Sequence, residues 1–133
     1  MIKRISHIGI AVENLEGARR FFSEHFKLSS SEQNNFGELL FSFIPLEGTQ
    51  LELLQSTTPD GVMTKFIQKK GEGIHHISLE VDDIKAELNS LKAKGIKLIN
   101  ESPYQNAHND LVAFIHPKST YGILIELSQP AGE

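Results

Sequence analysis

Two histidines and two glutamates recur at matching places in this chain. His7 opens the stretch His7-Ile8-Gly9-Ile10-Ala11-Val12, and His76 opens His76-Ile77-Ser78-Leu79-Glu80-Val81. Downstream, Gly48-Thr49-Gln50-Leu51-Glu52-Leu53 matches Gly122-Ile123-Leu124-Ile125-Glu126-Leu127. The offset is 76 − 7 = 69 at the histidines and 126 − 52 = 74 at the glutamates, a difference in loop length. Two imidazoles and two carboxylates suit a divalent ion of intermediate hardness, such as Mn, Fe, Co, Ni or Zn. The two carboxylates cancel the charge of the dication. An octahedral ion held this way keeps two positions open for a bidentate ligand. One strand histidine, or one strand glutamate, ordinarily marks a surface or wet face. The same types recurring at the same places in both copies point to a metal site at His7, Glu52, His76 and Glu126.

The flanking sequence supplies the elements that must position these four. Side chains alternate across a strand. In the first copy Ile8, Ile10 and Val12 share the face turned to a helix, and His7, Gly9 and Ala11 share the other. In the second, Ile77, Leu79 and Val81 face the helix while His76, Ser78 and Glu80 face away. The closing strands follow the same parity: Leu51, Leu53, Ile123, Ile125 and Leu127 are expected in the core, and Glu52 and Glu126 opposite them. Glu13-Asn14 and Asp82-Asp83 are capping clusters. They precede amphipathic helices over Leu15 to Phe26 and Ile84 to Lys94, and Gly95 stops the second. Strand pairs follow: Leu39 to Leu46 with Gln50 to Leu54, and Leu111 to Ile115 with Ile123 to Leu127. A short helix over Gly61 to Lys70 joins two βαβββ units, about 1–56 and 74–129, as halves of one domain spanning 1–133. The expected fold is α+β: two paired βαβββ modules forming curved mixed sheets around a metal-binding cavity.

Composition narrows the function. The chain has 133 residues, enough for one core without staples, and 39% of them are hydrophobic. It contains no cysteine, which rules out disulfides, thiolate metal sites and cysteine nucleophiles. The net charge of −4 argues against nucleic-acid or membrane binding. The apolar runs are strand-sized, and the start lacks a signal-peptide core, so a cytoplasmic protein is expected.

The repeated motifs, with Gly71-Glu72-Gly73-Ile74-His75-His76 and His116-Pro117-Lys118-Ser119, resemble those of the vicinal-oxygen-chelate (glyoxalase/bleomycin-resistance) superfamily. Within it the likeness is closest to the methylmalonyl-CoA epimerase family, and it covers nearly the whole chain. The resemblance implies a divalent metal (Co, Mn, Zn or Ni) on His7, Glu52, His76 and Glu126, an acyl-CoA substrate and a homodimer. It also implies an epimerase interconverting (R)- and (S)-methylmalonyl-CoA through a metal-stabilised enolate. Some family members carry Gln at the position of Glu52. Glu32, in Glu32-Gln33, resembles the family's off-metal acid–base residue, with Glu126 as its partner. The stretch Asn34-Asn35-Phe36 is longer than the family's pattern, which leaves Glu38 as a second candidate. Lys69 and Lys118 are candidates for the anionic arm of coenzyme A. Competing readings of the same fold are a glyoxalase I type lactoylglutathione lyase and a non-catalytic small-molecule-binding resistance protein. His25, His75, His108 and His116 are expected to be structural or solvated, and the segment from Asn100 to Asp110 to be a loop able to cover the cavity.

Overall fold

The structure is a computed structural model that describes residues 1–132. It contains two compact units, residues 7–75 and residues 1–6 with the chain from His76 on. Among the described residues, eight strands and three α-helices follow in the order β1 (Ile2–Ala11), α1 (Leu15–Phe26), β2 (Asn34–Phe36), β3 (Leu39–Leu46), β4 (Thr49–Ser56), α2 (Val62–Lys70), β5 (Gly73–Val81), α3 (Ile84–Ala93), β6 (Tyr104–Gln105), β7 (Leu111–Ile115) and β8 (Ile125–Gln129). Among the described residues no helix is long and apolar enough to cross a membrane.

In the first unit the strands lie in the order β2-β3-β4-β1. β1 runs parallel to β4, with Gly9 opposite Glu52, and the remaining pairs are antiparallel. Leu46 pairs with Thr49 across a two-residue turn that needs Gly48 at φ +84. Helix α1 lies on one face. There Val12, Leu15, Ile44 and Leu53 are buried, with Ile10, Ala18, Phe22 and Leu51 packed around them. Leu15, Ile44 and Leu53 are completely buried, so truncating any of them to alanine costs about 2–5 kcal/mol. On the opposite face Ala11, Phe41 and Leu54 pack with Met63, Phe66 and Ile67 of α2.

The second unit repeats this plan with strand order β5-β8-β7-β6. β5 runs parallel to β8, with Ser78 opposite Glu126, and β8 pairs antiparallel with β7. Val81, Ile84, Leu88, Ala113, Ile115 and Leu127 form its helix-side core. The residues before His7 make polar contacts in this unit. Arg4 bonds Glu80 at 3.2 Å, and the Met1 ammonium bonds Asp82 at 2.9 Å and also Glu87.

Helices α1 and α3 start in the same way. The N-caps predicted from sequence are present: the side chains of Asn14 and Asp83 accept from the backbone N–H of Gly17 and Ala86. A second contact, which no composition argument supplied, doubles each cap. Gln55 Oε1 accepts from Leu15 N at 2.8 Å, and Gln129 Oε1 accepts from Ile84 N at 2.8 Å. The end of each closing strand therefore satisfies the first free N–H of its own module's helix.

Two expectations need correcting. Ile123 is 45% exposed and lies before β8, which begins at Ile125, so it is not core. Thr120 Oγ1 bonds the Ile123 carbonyl, which ties this segment into the preceding turn. The segment from Asn100 to Asp110 is more ordered than a plain loop. It contains β6, and Asn106 Oδ1 accepts from both His108 N and Asp110 N.

Candidate metal and substrate site

In the first unit, parity places His7 and Glu52 on the face opposite α1, on adjacent parallel strands. His7 Nε2 lies 3.3 Å from Glu52 Oε1, and both side chains are nearly buried. Two donors about 2.1 Å from one ion at a right angle stand about 3 Å apart. The spacing of this pair therefore fits one edge of a coordination polyhedron. The ring of Phe43 meets His7 edge-on at 6.2 Å, and Phe43 is in register with Glu52. An aromatic ring beside the pair lowers the local dielectric.

In the second unit, His76 and Glu126 share the face opposite α3. His76 is 5% exposed and Glu126 is 7% exposed. Glu126 stands opposite Ser78 on β5 and Phe114 on β7, and Phe114 meets the His76 ring edge-on at 5.8 Å. The arrangement copies the first unit, with Phe114 in the place of Phe43. Ser78 and Ser128 lie on this face too, and Ser78 Oγ donates to Ser128 Oγ at 3.2 Å, so these buried hydroxyls satisfy each other. A carboxylate that folding buries on a strand face needs a cation or donors there to offset its lost hydration. Both pairs thus have the donor chemistry that a divalent ion requires.

The loop carboxylates separate clearly. Glu32 is exposed. Its backbone is anchored beside β3: Ser31 N donates to the Phe43 carbonyl at 2.7 Å, and Ser31 Oγ accepts from Phe43 N at 2.9 Å. Because Phe43 is in register with Glu52, this anchor brings the chain at Glu32 to the row of the sheet that carries Glu52. Glu38 is engaged elsewhere. Its Oε1 accepts from Ser56 Oγ at 3.2 Å and from Val62 N at 3.1 Å, at the start of α2. Gly61, the N-cap of α2, makes no side-chain cap bond, and Glu38 takes over that role from a distant turn. Glu38 Oε2 is buried without a hydrogen-bond partner among the described residues.

The remaining histidines have local roles. His116 Nδ1 accepts from Lys118 N and caps a short 3-10 turn over Pro117–Ser119. His75 meets Phe66 edge-on, and exposed His25 lies tilted against the ring of Phe21 at 4.9 Å. Lys69 and Lys118 are both exposed. A small cleft of about 250 Å³ in the first unit is lined by Gln55, Ser56, Thr64 and Ile67, and neither His7 nor Glu52 reaches it.

Sequence reasoning passed over two groups. Gln55 and Gln129 are 74 positions apart, the same offset that joins Glu52 to Glu126 (129 − 55 = 126 − 52 = 74), so extending the repeat by three residues would have found them. Tyr104 lies in the segment that the sequence marks as loop. It pairs with Val112, which pairs with Ser128, and this register puts it on the face that carries Glu126. Burial of the phenol, with the nearby Glu126 charge, pushes its pKa above the usual 10.0.

Comparison with known proteins gives the family and the fold. Residues 6–114 match the model of the Glyoxalase/Bleomycin resistance protein/Dioxygenase superfamily, and the chain belongs to that superfamily. Human mitochondrial methylmalonyl-CoA epimerase is 39% identical over 129 residues, 95% of this chain and 73% of that protein. The uncharacterized Bacillus subtilis protein YqjC is 34% identical over 134 residues, 99% of this chain and 96% of its own. A solved structure of a Streptomyces coelicolor methylmalonyl-CoA epimerase variant in complex with 2-nitronate-propionyl-CoA superposes with a TM-score of 0.91 at 26% identity. It covers 99% of this chain and 97% of that one. The α+β glyoxalase-like fold expected from the repeat is therefore the fold of this protein.

Proposed function

We propose that this protein is a metal-dependent epimerase that interconverts (R)- and (S)-methylmalonyl-CoA, with His7, Glu52, His76 and Glu126 holding one divalent ion. The observation that carries the reading is the nearly buried His7–Glu52 pair at 3.3 Å, repeated in kind by buried His76 and Glu126 on the corresponding face of the second unit. Relatives named as methylmalonyl-CoA epimerases support the substrate class. The set of two imidazoles and two carboxylates accepts Co, Mn, Zn or Ni.

Bound there, the ion supplies Lewis-acid stabilisation of negative charge on the thioester and carboxylate oxygens of the substrate. The protein's own groups do the rest. One carboxylate takes the proton from the carbon between the two carbonyls, and the C–H electrons move toward the thioester as the enolate forms. A second, protonated carboxylic acid returns a proton to the opposite face. Glu32 and Glu126 are assigned these roles. Glu32 is anchored through Ser31 beside the Glu52 row and keeps an exposed carboxylate. Glu38 is tied to the start of α2 and is the weaker candidate. The aromatic flanks Phe43 and Phe114 exclude water around the imidazoles, which strengthens charge interactions at the reacting carbon.

The test is α-proton exchange. Metal-loaded protein is incubated with (S)-methylmalonyl-CoA in deuterated water, with methylglyoxal plus glutathione in parallel. Chelator-sensitive exchange with formation of the (R) epimer is expected, and Glu32→Gln should retain metal while losing most turnover. Turnover of the glutathione adduct without α-exchange would move the protein to the glyoxalase branch.

A further inference from the structure

The open face of the second unit carries an aromatic hydroxyl that neither the metal set nor the proton-transfer pair uses. β6 is only two residues long and is held to β7 by Tyr104 opposite Val112 and Gln105 opposite Leu111. Val112 is opposite Ser128, two residues from Glu126 on β8, a step of about 7 Å along the strand. Tyr104 therefore sits two strands across from Glu126 and one row along, on the same face, a backbone separation of about 12 Å that leaves room for a small acyl group between the two side chains.

Three observations argue against a packing role. The helix-side core of this unit, built on Val81, Ile84, Leu88, Ala113, Ile115 and Leu127, does not include Tyr104. The residue is 45% exposed, so its ring does not fill an interior gap. Its hydroxyl has no hydrogen-bond partner among the described residues. Tyrosine hydroxyls that are partly withdrawn from water ordinarily find one. The segment is also pre-set. Asn106, two positions on, holds the β6–β7 turn through bonds to His108 N at 2.9 Å and Asp110 N at 3.0 Å. A hydroxyl on a short, pinned strand beside a buried carboxylate is placed for a ligand rather than for the fold.

We infer that Tyr104 is a substrate-contacting residue whose phenol hydroxyl donates a hydrogen bond to an anionic oxygen of an acyl-CoA dicarbonyl bound beside Glu126. This assignment rests on the epimerase reading above. The acceptor is a carboxylate or enolate oxygen, since a neutral phenol has one proton to give and Glu126 takes no part as donor when ionised. The bond would fix the orientation of the acyl group relative to Glu126.

The test compares wild-type protein, Tyr104→Phe and Tyr104→Ala, all cobalt-loaded and full length, with Tyr121→Phe as a control at an almost fully exposed tyrosine. Two readouts are taken: the affinity for malonyl-CoA by titration calorimetry, and kcat and KM with methylmalonyl-CoA. Tyr104→Phe keeps the ring and removes only the hydroxyl. It should bind malonyl-CoA about tenfold more weakly, in line with a hydrogen bond to a charged group, with cobalt content and melting temperature unchanged. Tyr121→Phe should match wild type. Wild-type affinity and turnover in Tyr104→Phe would overturn the role of Tyr104 and leave the epimerase reading intact. Wild-type protein that neither binds malonyl-CoA nor epimerises methylmalonyl-CoA would overturn both.

Discussion

Replacing Gly61 by alanine tests whether the start of α2 is as tightly built as it looks. A Cβ at this position would lie 2.5 Å from both Cβ and Oγ of Ser56 and 2.6 Å from Glu38 Oε2. Non-bonded carbons rest at about 3.5–4.0 Å, so the new methyl overlaps its neighbours by about 1 Å. The backbone is no obstacle, because Gly61 has φ −67 and ψ 161, which alanine adopts freely. Loss of unfolded-chain freedom would by itself stabilise the variant by roughly 0.4–1 kcal/mol. Overpacking works against this with about 1–3 kcal/mol. Displacing Ser56 and Glu38 also weakens the bonds that Met63 N and Val62 N make to them at 2.8 and 3.1 Å, each worth about 1 kcal/mol. The net expectation is a loss of about 2–3 kcal/mol, which for a chain of this size lowers the melting temperature by roughly 8–12 °C. Thermal and urea unfolding followed by circular dichroism read this directly. Adding Ser56→Gly to Gly61→Ala removes the nearest obstacle and should recover part of the loss. A Gly61→Ala protein that melts with wild type would refute the close packing of α2 on β4 and Glu38.

The other expectations are simpler. Gln129→Met and Gln55→Met each remove the acceptor for one helix-starting N–H, and each should cost about 1 kcal/mol in urea unfolding, with the two effects adding because the bonds are separate. His7→Ala should abolish stoichiometric metal binding measured by elemental analysis, whereas Glu52→Gln, which keeps an oxygen donor, should retain metal with reduced affinity. Burial raises the Tyr104 pKa above 10.0, so the folded protein keeps a proton that the unfolded chain gives up. Stability should therefore begin to fall as pH climbs past about 10 and go on falling through the folded value, and Tyr104→Phe should remove that component from the alkaline unfolding profile.

Much of this protein was legible in the sequence because its information is duplicated. Period-two alternation sets the faces of β1, β4, β5 and β8, and the recurrence of His and Glu on one parity makes His7, Glu52, His76 and Glu126 the candidate metal set. The helices were readable for a local reason: Asn14 and Asp83 cap through bonds only three residues long. What sequence could not supply were the contacts that cross between elements. Glu38 is one of two loop carboxylates that the sequence offers as a base, and its bonds to Val62 and Ser56 follow only from the register of β3 with β4. Ile123 kept the parity of a core residue but fell outside β8, because the turn around Thr120 captures its carbonyl. Tyr104 sat in a segment with no periodicity to read, and its place beside Glu126 comes from two strand pairings across residues distant in the chain. Local spacing decides which way a side chain points. Tertiary pairing decides what it meets there, because a strand's neighbours are chosen by hydrogen bonds between backbone segments that no short window of sequence contains.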